Sequence, residues 1–173
     1  MADLPITLHD VNRMDEDEFV ASLGDIAEHA PWVAAEAADR RPFSSRSAMI
    51  EAFAAAVKHA DKSRQRALLL AHPDLAGRAA IAGDLTRESR NEQAGAGLDR
   101  LTPAQFRHFS EMNNAYRERH GIPFIVAVRG ATAHDIMKAF AERTGNPEDI
   151  EFRTALEQVE RIIRFRLEDR VSA

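Results

Sequence analysis

The chain is organised around LLLAHPDLAGRAAIAGDLTRESRNEQ, the stretch from Leu68 to Gln93. It places His72 at the end of an apolar run that predicts a helix. Pro73 lacks a backbone donor and disfavours helical geometry in the residue before it. The imidazole is therefore predicted to lie where a helix breaks, just before a loop-rich passage marked by Gly77 and Gly83.

Three polar residues close this stretch at helical spacing. Ser89, Glu92 and Gln93 stand at i, i+3 and i+4, so a helix over Arg87–Leu98 would present all three on one face. Such a face offers a hydroxyl, a carboxylate and an amide to one small ligand. The pattern alone leaves a solvated face open as the alternative, because charged residues surround these three: Arg87, Glu88 and Arg90.

Composition limits the class of protein. With 173 residues and 45% hydrophobic content, the chain is predicted to form one globular domain over residues 1–173. The absence of cysteine excludes disulfides and thiol catalysis, and it agrees with a cytoplasmic location. A net charge of −5 argues against nucleic-acid partners. No apolar run approaches the ~20 residues of a membrane span, and no secretory signal is recognisable, so no membrane association is expected.

Helix-starting and helix-ending residues recur along the chain and predict an all-α fold, a bundle of about eight helices. Thr102 and Pro103 are a capping residue and a first-turn proline, and Gly121 ends the helix that they start. Further helices are predicted after Ser44 or Ser45, after Thr132 and after Asn146-Pro147. Residues 1–14 are interpreted as an extended lead. The apolar run Ile122–Val128 is too short for a typical helix and is interpreted as a buried extended segment, whose backbone groups need partners.

The final helix carries a charged residue in its apolar stripe. This stripe is predicted to contain Phe152, Leu156, Val159, Ile162 and Ile163. Seven residues beyond Val159 it reaches Arg166. A buried arginine needs an anionic partner, either a carboxylate of the core or a bound substrate, because an isolated buried charge is unstable.

Other catalytic classes find little support in the sequence. No two histidines stand three or four residues apart, so no helix carries a two-histidine metal site, although a long-range site such as His72 with Glu92 stays open. No G-x-S-x-G elbow and no glycine-rich phosphate loop is present. For His72 itself, a histidine that only terminates a helix is the alternative interpretation. The residues thus indicate a helical enzyme without a cofactor, or a helical domain that binds a small anion.

Four separated motifs, in the same order along nearly the whole chain, resemble one family. They are HPDLAG (His72–Gly77), SRNEQAGAGL (Ser89–Leu98), MNNAYRERHGIPFIVAV (Met112–Val128) and RFRL (Arg164–Leu167). The family is that of the 2-oxo-4-hydroxy-4-carboxy-5-ureidoimidazoline (OHCU) decarboxylases of purine degradation. Departures from its pattern are mild: His120-Gly121-Ile122 stands where an aromatic usually flanks the glycine on each side, and Met112 replaces a leucine.

The resemblance implies an all-helical lyase that needs no cofactor and no metal, and that tends to form homodimers. Its reaction would be the last step from urate to allantoin, conversion of the ureidoimidazoline into (S)-allantoin with release of carbon dioxide. It implies His72 as general acid/base, with Glu92 beside it. It also implies substrate contacts from Pro73, Ser89, Gln93, Phe124, Ile125, Val126, Ala127, Val128 and Arg166.

Two other classes remain as alternatives. The first is a non-catalytic module with the same fold, such as a ureide sensor or an assembly partner of the hydrolase that acts on oxidised urate, which would bind the ligand without turnover. A metal-dependent amidohydrolase acting on a related ureide would lose its activity with a chelator.

Overall fold

The computed structural model describes residues 5–77 and 83–173, and in these residues it is almost entirely helical. The all-α prediction is confirmed. The predicted loop passage between Gly77 and Gly83 falls on residues 78–82, outside the described residues. The described helices are α1 (Leu8–Arg13), α2 (Glu16–Leu23), α3 (Trp32–Ala38), α4 (Arg46–His59), α5 (Lys62–Leu70), α6 (Arg87–Gly95), α7 (Pro103–His120), α8 (Ala133–Thr144) and α9 (Glu148–Arg170).

The chain divides into two compact units. One, called here the terminal unit, comprises the residues up to Ala71 together with Val159–Ala173, and the other, the central unit, comprises His72–Gln158. The prediction of a single domain over residues 1–173 stays a prediction. No helix in the described part of the chain is long and apolar enough to cross a bilayer.

The terminal unit is built on aromatic and aliphatic side chains of its first four helices. Phe19 lies with its ring centroid 6.1 Å from that of Phe53 and 6.2 Å from that of Phe43. Each such buried ring contributes about 1.5–3 kcal/mol relative to its exposed state. Two short strands, β1 (Ile6–Thr7) and β2 (Val171–Ser172), pair in parallel, so the two sequence segments of this unit meet at one edge.

Residues 1–14, interpreted from the sequence as an extended lead, contain a helix where they are described. The side chain of Thr7 accepts a hydrogen bond from the backbone N–H of Asp10 and thereby starts α1. The extended interpretation is therefore wrong for Leu8–Arg13. Pro5 had suggested extended structure, but the capping residue two positions later determines the local conformation.

The central unit is built on α7 and α8, which pack against each other. Phe124 stacks on Phe140 with ring centroids 3.7 Å apart, and Phe109 meets Phe140 edge to face at 5.9 Å. Thr102 caps α7 in a capping box with Gln105, as its sequence predicts. Gly121 ends α7 with a φ of 67°, a conformation that glycine adopts without a Cβ clash.

Candidate active site

His72 is the first residue of the central unit and opens the loop His72–Gly77. Helix α5 ends at Leu70 with Ala71 as its C-cap, and the histidine follows this cap, as predicted, with only 7% of its surface exposed. Pro73 is half-buried beside it. The imidazole is thus held in a protein environment rather than in solvent.

Three side chains fasten the loop that follows His72. The amide Nδ2 of Asn113 donates to Leu75 O at 2.9 Å, and a guanidinium nitrogen of Arg117 lies 2.6 Å from Asp74 Oδ1. Both residues belong to α7 and stand four apart, on one face of that helix. The Oε1 of Gln93 accepts from Ala76 N–H at 3.0 Å. The sequence interpretation did not include Asn113 or Arg117 in the site.

Ala76 is the strained residue of this loop. Its φ of 50° places a side chain other than glycine in the left-handed region, which is unfavourable by roughly 1–2 kcal/mol. The bond from Gln93 stabilises this conformation, because it satisfies a buried backbone donor that would otherwise lack a partner. Gln93 therefore has a structural function beside the substrate contact predicted for it.

Helix α6 presents the polar cluster on one face. Ser89 and Gln93 are buried and Glu92 is half-buried, whereas Arg87 and Arg90 are exposed. Thr86 caps the helix by accepting from Ser89 N–H at 3.2 Å. The helix ends at Gly95 and not at Leu98 as predicted, since Gly97 turns the chain with a φ of 79°.

The segment Ile122–Val128 is neither helical nor paired in a strand, and most of its side chains are buried. Side chains satisfy part of its backbone. Arg143 donates to Ile125 O at 2.7 Å, and Gln158 Oε1 accepts from Ala127 N–H at 2.9 Å. The sequence-based expectation that this backbone needs partners is confirmed for these two groups.

Arg166 belongs to the terminal unit, whereas the other predicted site residues belong to the central unit. Its Nη1 atom lies 2.9 Å from Glu28 Oε2 and 3.3 Å from Ile26 O. The side chains of arginine and glutamate are 4% and 1% exposed. The anionic partner that the stripe argument requires is therefore present in the protein.

Comparisons with known proteins give one consistent answer. The family model of OHCU decarboxylase matches residues 12–168. The chain belongs to the OHCU decarboxylase family. A 2-oxo-4-hydroxy-4-carboxy-5-ureidoimidazoline decarboxylase of Haloferax volcanii is 44% identical over 168 residues, which cover 97% of this chain and 98% of the relative. A protein of the same name from Halalkalicoccus jeotgali is 42% identical, covering 95% of this chain and 91% of the relative.

The solved structures agree with this membership. A crystal structure of (S)-allantoin synthase superimposes with a TM-score of 0.78 at 31% sequence identity. The match covers 97% of this chain but 54% of that one, so the chain spans about half the length of this solved relative.

One departure from the family motif is explained by packing. His120, the histidine of this departure, is buried and contacts Tyr116 with tilted rings whose centroids are 4.6 Å apart. Its Nε2 lies 3.1 Å from Thr144 O, a distance that suits a hydrogen bond from an Nε2–H tautomer. The imidazole therefore fills the aromatic position and adds a polar link to the end of α8.

A buried ionic cluster around Glu151 contacts the segment Ile122–Val128 through Arg143. The sequence interpretation missed this cluster. Glu151 is fully buried and accepts hydrogen bonds from three side chains, one of them the 2.5 Å bond from the Tyr116 hydroxyl. Asn146 donates at 3.0 Å, and the Arg143 Nε and Nη2 atoms lie 3.1 and 3.0 Å from Oε2. Arg143 also covers the face of the Phe124 ring, 4.5 Å from its centroid.

This arrangement changes the acid–base properties of the cluster. Burial raises the pKa of Glu151, but the hydrogen bonds from Arg143, Tyr116 and Asn146 outweigh it and leave the pKa below its usual value. For Tyr116, burial and the hydrogen bond to Glu151 raise the pKa of the phenol far above its ordinary value. The carboxylate therefore stays ionised and the phenol protonated at neutral pH.

The sequence contained a signal for Glu151. The buried stripe of α9 comprises Glu151, Ala155, Val159, Ile163, Arg166 and Leu167, whereas Phe152, Leu156 and Ile162 of the predicted stripe are only half-buried. Extending the stripe by four and by eight residues before Val159 reaches Ala155 and Glu151. The step of seven that located Arg166 reaches Phe152 in the other direction, so Glu151 is found only by two steps of four.

Proposed function

We propose that this protein catalyses the cofactor-independent decarboxylation of 2-oxo-4-hydroxy-4-carboxy-5-ureidoimidazoline to (S)-allantoin and carbon dioxide, with His72 as general acid/base. Membership of the OHCU decarboxylase family supports this reaction class. The observation that carries the role of His72 is its burial at the start of a loop fixed by Asn113 and Gln93. A proton-transfer group needs such fixed geometry.

The proposed chemistry needs no external electron sink. Cleavage of the bond between C4 and the carboxyl group leaves an electron pair at C4, which the adjacent imine and carbonyl of the ring delocalise. The protein then has to orient the carboxylate, polarise the ring and deliver a proton to one face. His72 would take the proton of the C4 hydroxyl, which becomes the C4 carbonyl of allantoin, or deliver the proton to C5, the carbon that carries the ureido group, with Glu92 holding the imidazole or the ureido nitrogens.

The other predicted contacts have complementary chemistry. The Oε1 of Gln93 is engaged with Ala76 N–H, so the NH2 group is the part of this amide that offers donors to an anionic oxygen. Ser89 would contribute a hydroxyl, Pro73 an apolar wall, and the backbone of Phe124–Val128 hydrogen bonds to the ureide. Arg166 would neutralise an anionic oxygen of the substrate while keeping its ion pair with Glu28.

We further propose that the protein acts as a homodimer in the cytoplasm, at the last step from urate to allantoin. The absence of cysteine agrees with a reducing compartment. Sedimentation at several protein concentrations tests the dimer.

The decisive experiment generates the unstable substrate in situ from urate with urate oxidase and the ring hydrolase. The protein is added with a chelator, and circular dichroism follows the chirality of allantoin. We expect rapid growth of the (S)-allantoin signal with the wild type and only the slow racemic decay with His72→Asn. His108→Asn, an exposed histidine of the same unit, is the matched control and should retain the wild-type rate.

Three outcomes would contradict the proposal in different ways. Near-normal turnover by His72→Asn would remove this residue from the mechanism. Ligand binding without turnover by the wild type would favour the binding module. Loss of activity on chelation, with recovery on adding a divalent metal, would favour the amidohydrolase.

A further inference from the structure

We propose that Arg143 and Gln158 are positioning residues that fix one edge of the segment Phe124–Val128 and so direct the backbone of Val126 towards a ureide. The inference rests on the proposed function, which assigns this segment to substrate binding. Neither Arg143 nor Gln158 touches the substrate in this proposal. Both act through the backbone that they bind, at Ile125 O and Ala127 N–H.

The two side chains hold alternate residues of the segment. Arg143 binds the carbonyl of Ile125, and Gln158 binds the N–H of Ala127, two positions further on. Ile125 O and Ala127 N–H thus form a protein-bound edge of the segment, and Val126, the residue between them, is bound by neither side chain.

The backbone of Val126 is available to a ligand. In residues 5–77 and 83–173, no hydrogen bond reaches its N–H or its C=O. Val126 is half-buried, whereas its neighbours Ile125 and Ala127 are buried. A polar backbone unit in such surroundings needs a partner from water or from a ligand. One N–H and one C=O side by side are complementary to a ureido group, which carries the same pair in reverse.

The anchor of this edge has several partners within the protein. The guanidinium of Arg143 contacts the buried carboxylate of Glu151 and the ring of Phe124 in addition to Ile125 O. Glu151 is in turn bound by Tyr116, whose ring also meets that of Phe124 at 5.1 Å. The segment is therefore fixed through its side chain and its backbone at once.

Helix α7 links this anchor to the loop of His72. Tyr116 contacts the segment, and Asn113, three residues earlier on the same helix, holds Leu75. Three residues of helix correspond to an axial rise of about 4.5 Å. The proposed proton-transfer loop and the proposed ureide-binding edge thus share one support.

The test uses two substitutions at Gln158, which is half-buried and can be changed without removing a charge from the core. Gln158→Met keeps the length of the side chain but removes the acceptor for Ala127 N–H, whereas Gln158→Glu keeps an acceptor oxygen. The probe is (S)-allantoin, whose affinity is measured by calorimetry, together with KM and kcat for the substrate generated in situ.

For Gln158→Met we expect roughly a three- to tenfold weaker affinity for (S)-allantoin and a similar rise in KM, with kcat changed less than about twofold. Gln158→Glu should restore most of the affinity. Gln65→Met is the matched control: Gln65 is also half-buried and bonded to backbone, through Val57 O in the terminal unit, and its loss should leave KM unchanged.

A second measurement addresses the backbone directly. In the wild type, (S)-allantoin should shift the amide resonance of Val126 more than that of Ala127, and the shift should diminish in Gln158→Met. Unchanged affinity and KM in Gln158→Met, or a larger shift at Ala127, would overturn the positioning role while the decarboxylase assignment stands. A wild type that neither turns over substrate nor binds (S)-allantoin would instead overturn the proposed function.

Discussion

An arginine–glutamate pair lies in the interior of each unit, and the two pairs differ in the sequence separation between their partners. Arg143 and Glu151 lie eight residues apart, on either side of the turn between α8 and α9. Arg166 and Glu28 belong to α9 and to the turn region after α2, and they join distant parts of the sequence. In both pairs the carboxylate is almost inaccessible, with side-chain exposures of 0% and 1%.

The comparison shows that burial alone does not reveal the function of an ion pair. The motif resemblance points to Arg166 as a substrate contact, although its geometry satisfies it inside the protein. Arg143 was not predicted, yet it binds the backbone of the segment that the same resemblance assigns to the substrate. A buried ion pair adds little net stability to a fold. Removing one of its two partners is nevertheless strongly destabilising, because the other charge is left buried alone.

The largest expected effect comes from removing either arginine. Arg143→Met and Arg166→Met should each lower the free energy of unfolding by about 3–5 kcal/mol, because each leaves a buried carboxylate uncompensated. Urea denaturation measures this effect. If one variant loses less than about 1 kcal/mol of unfolding free energy, its carboxylate finds another partner. The two pairs would then contribute differently to stability.

The double variants sharpen the comparison. Replacing the acid as well, in Arg143→Met/Glu151→Gln and in Arg166→Met/Glu28→Gln, should recover much of the lost stability. If Arg166 contacts the substrate, the second double variant folds but stays inactive. Recovery of turnover together with stability would reduce Arg166 to a structural residue.

A smaller effect is expected from pH. Because the pKa of Glu151 is lowered in the folded state, its contribution to stability is present above the unfolded value of 4.5 and is lost as the pH falls through the folded pKa. The stability difference between wild type and Glu151→Gln should therefore shrink below pH 4.5. Denaturation midpoints between neutral and acidic pH test this, and a difference that stays constant would contradict the assigned ionisation.

The smallest effect is expected at an exposed pair of α9. Arg164 Nε lies 2.9 Å from Glu168 Oε1, at i and i+4, with 60% of the arginine side chain exposed. Arg164→Ala should change the free energy of unfolding by no more than about 0.5 kcal/mol, because solvent screens the pair and the side chains lose entropy in forming it. A change in unfolding free energy as large as that of Arg143→Met would mean that solvent exposure does not determine how much these ion pairs stabilise the fold.

Local signals predicted the helices well. Thr102, Thr132 and Gly121 act within four residues of their own positions, so their side-chain caps and backbone preferences can be read directly from the sequence. The same holds for the position of His72 after α5. The end of α6 was predicted three residues too late, because Gly95 and Gly97 both permit termination and the sequence does not rank them.

The partners of the site were not predictable in the same way. The bonds from Asn113 to Leu75 and from Arg143 to Ile125 depend on how α7 and α8 pack, which single-residue preferences do not encode. Glu151 was missed because a glutamate near a helix N-terminus is ordinarily exposed to solvent, where the helix dipole stabilises its negative charge. Its burial follows only from the register of the whole stripe.

The parallel pairing of β1 with β2 has a consequence for the order in which the chain acquires its structure during synthesis. The central unit is continuous from His72 to Gln158, so all of its residues have been synthesised before Val159 is added. The terminal unit needs Val171 beside Ile6, a contact between residues synthesised far apart in time. The unit that carries His72 is therefore complete in sequence before the terminal unit, whose helices α1–α5 lack the second half of α9 until synthesis reaches it.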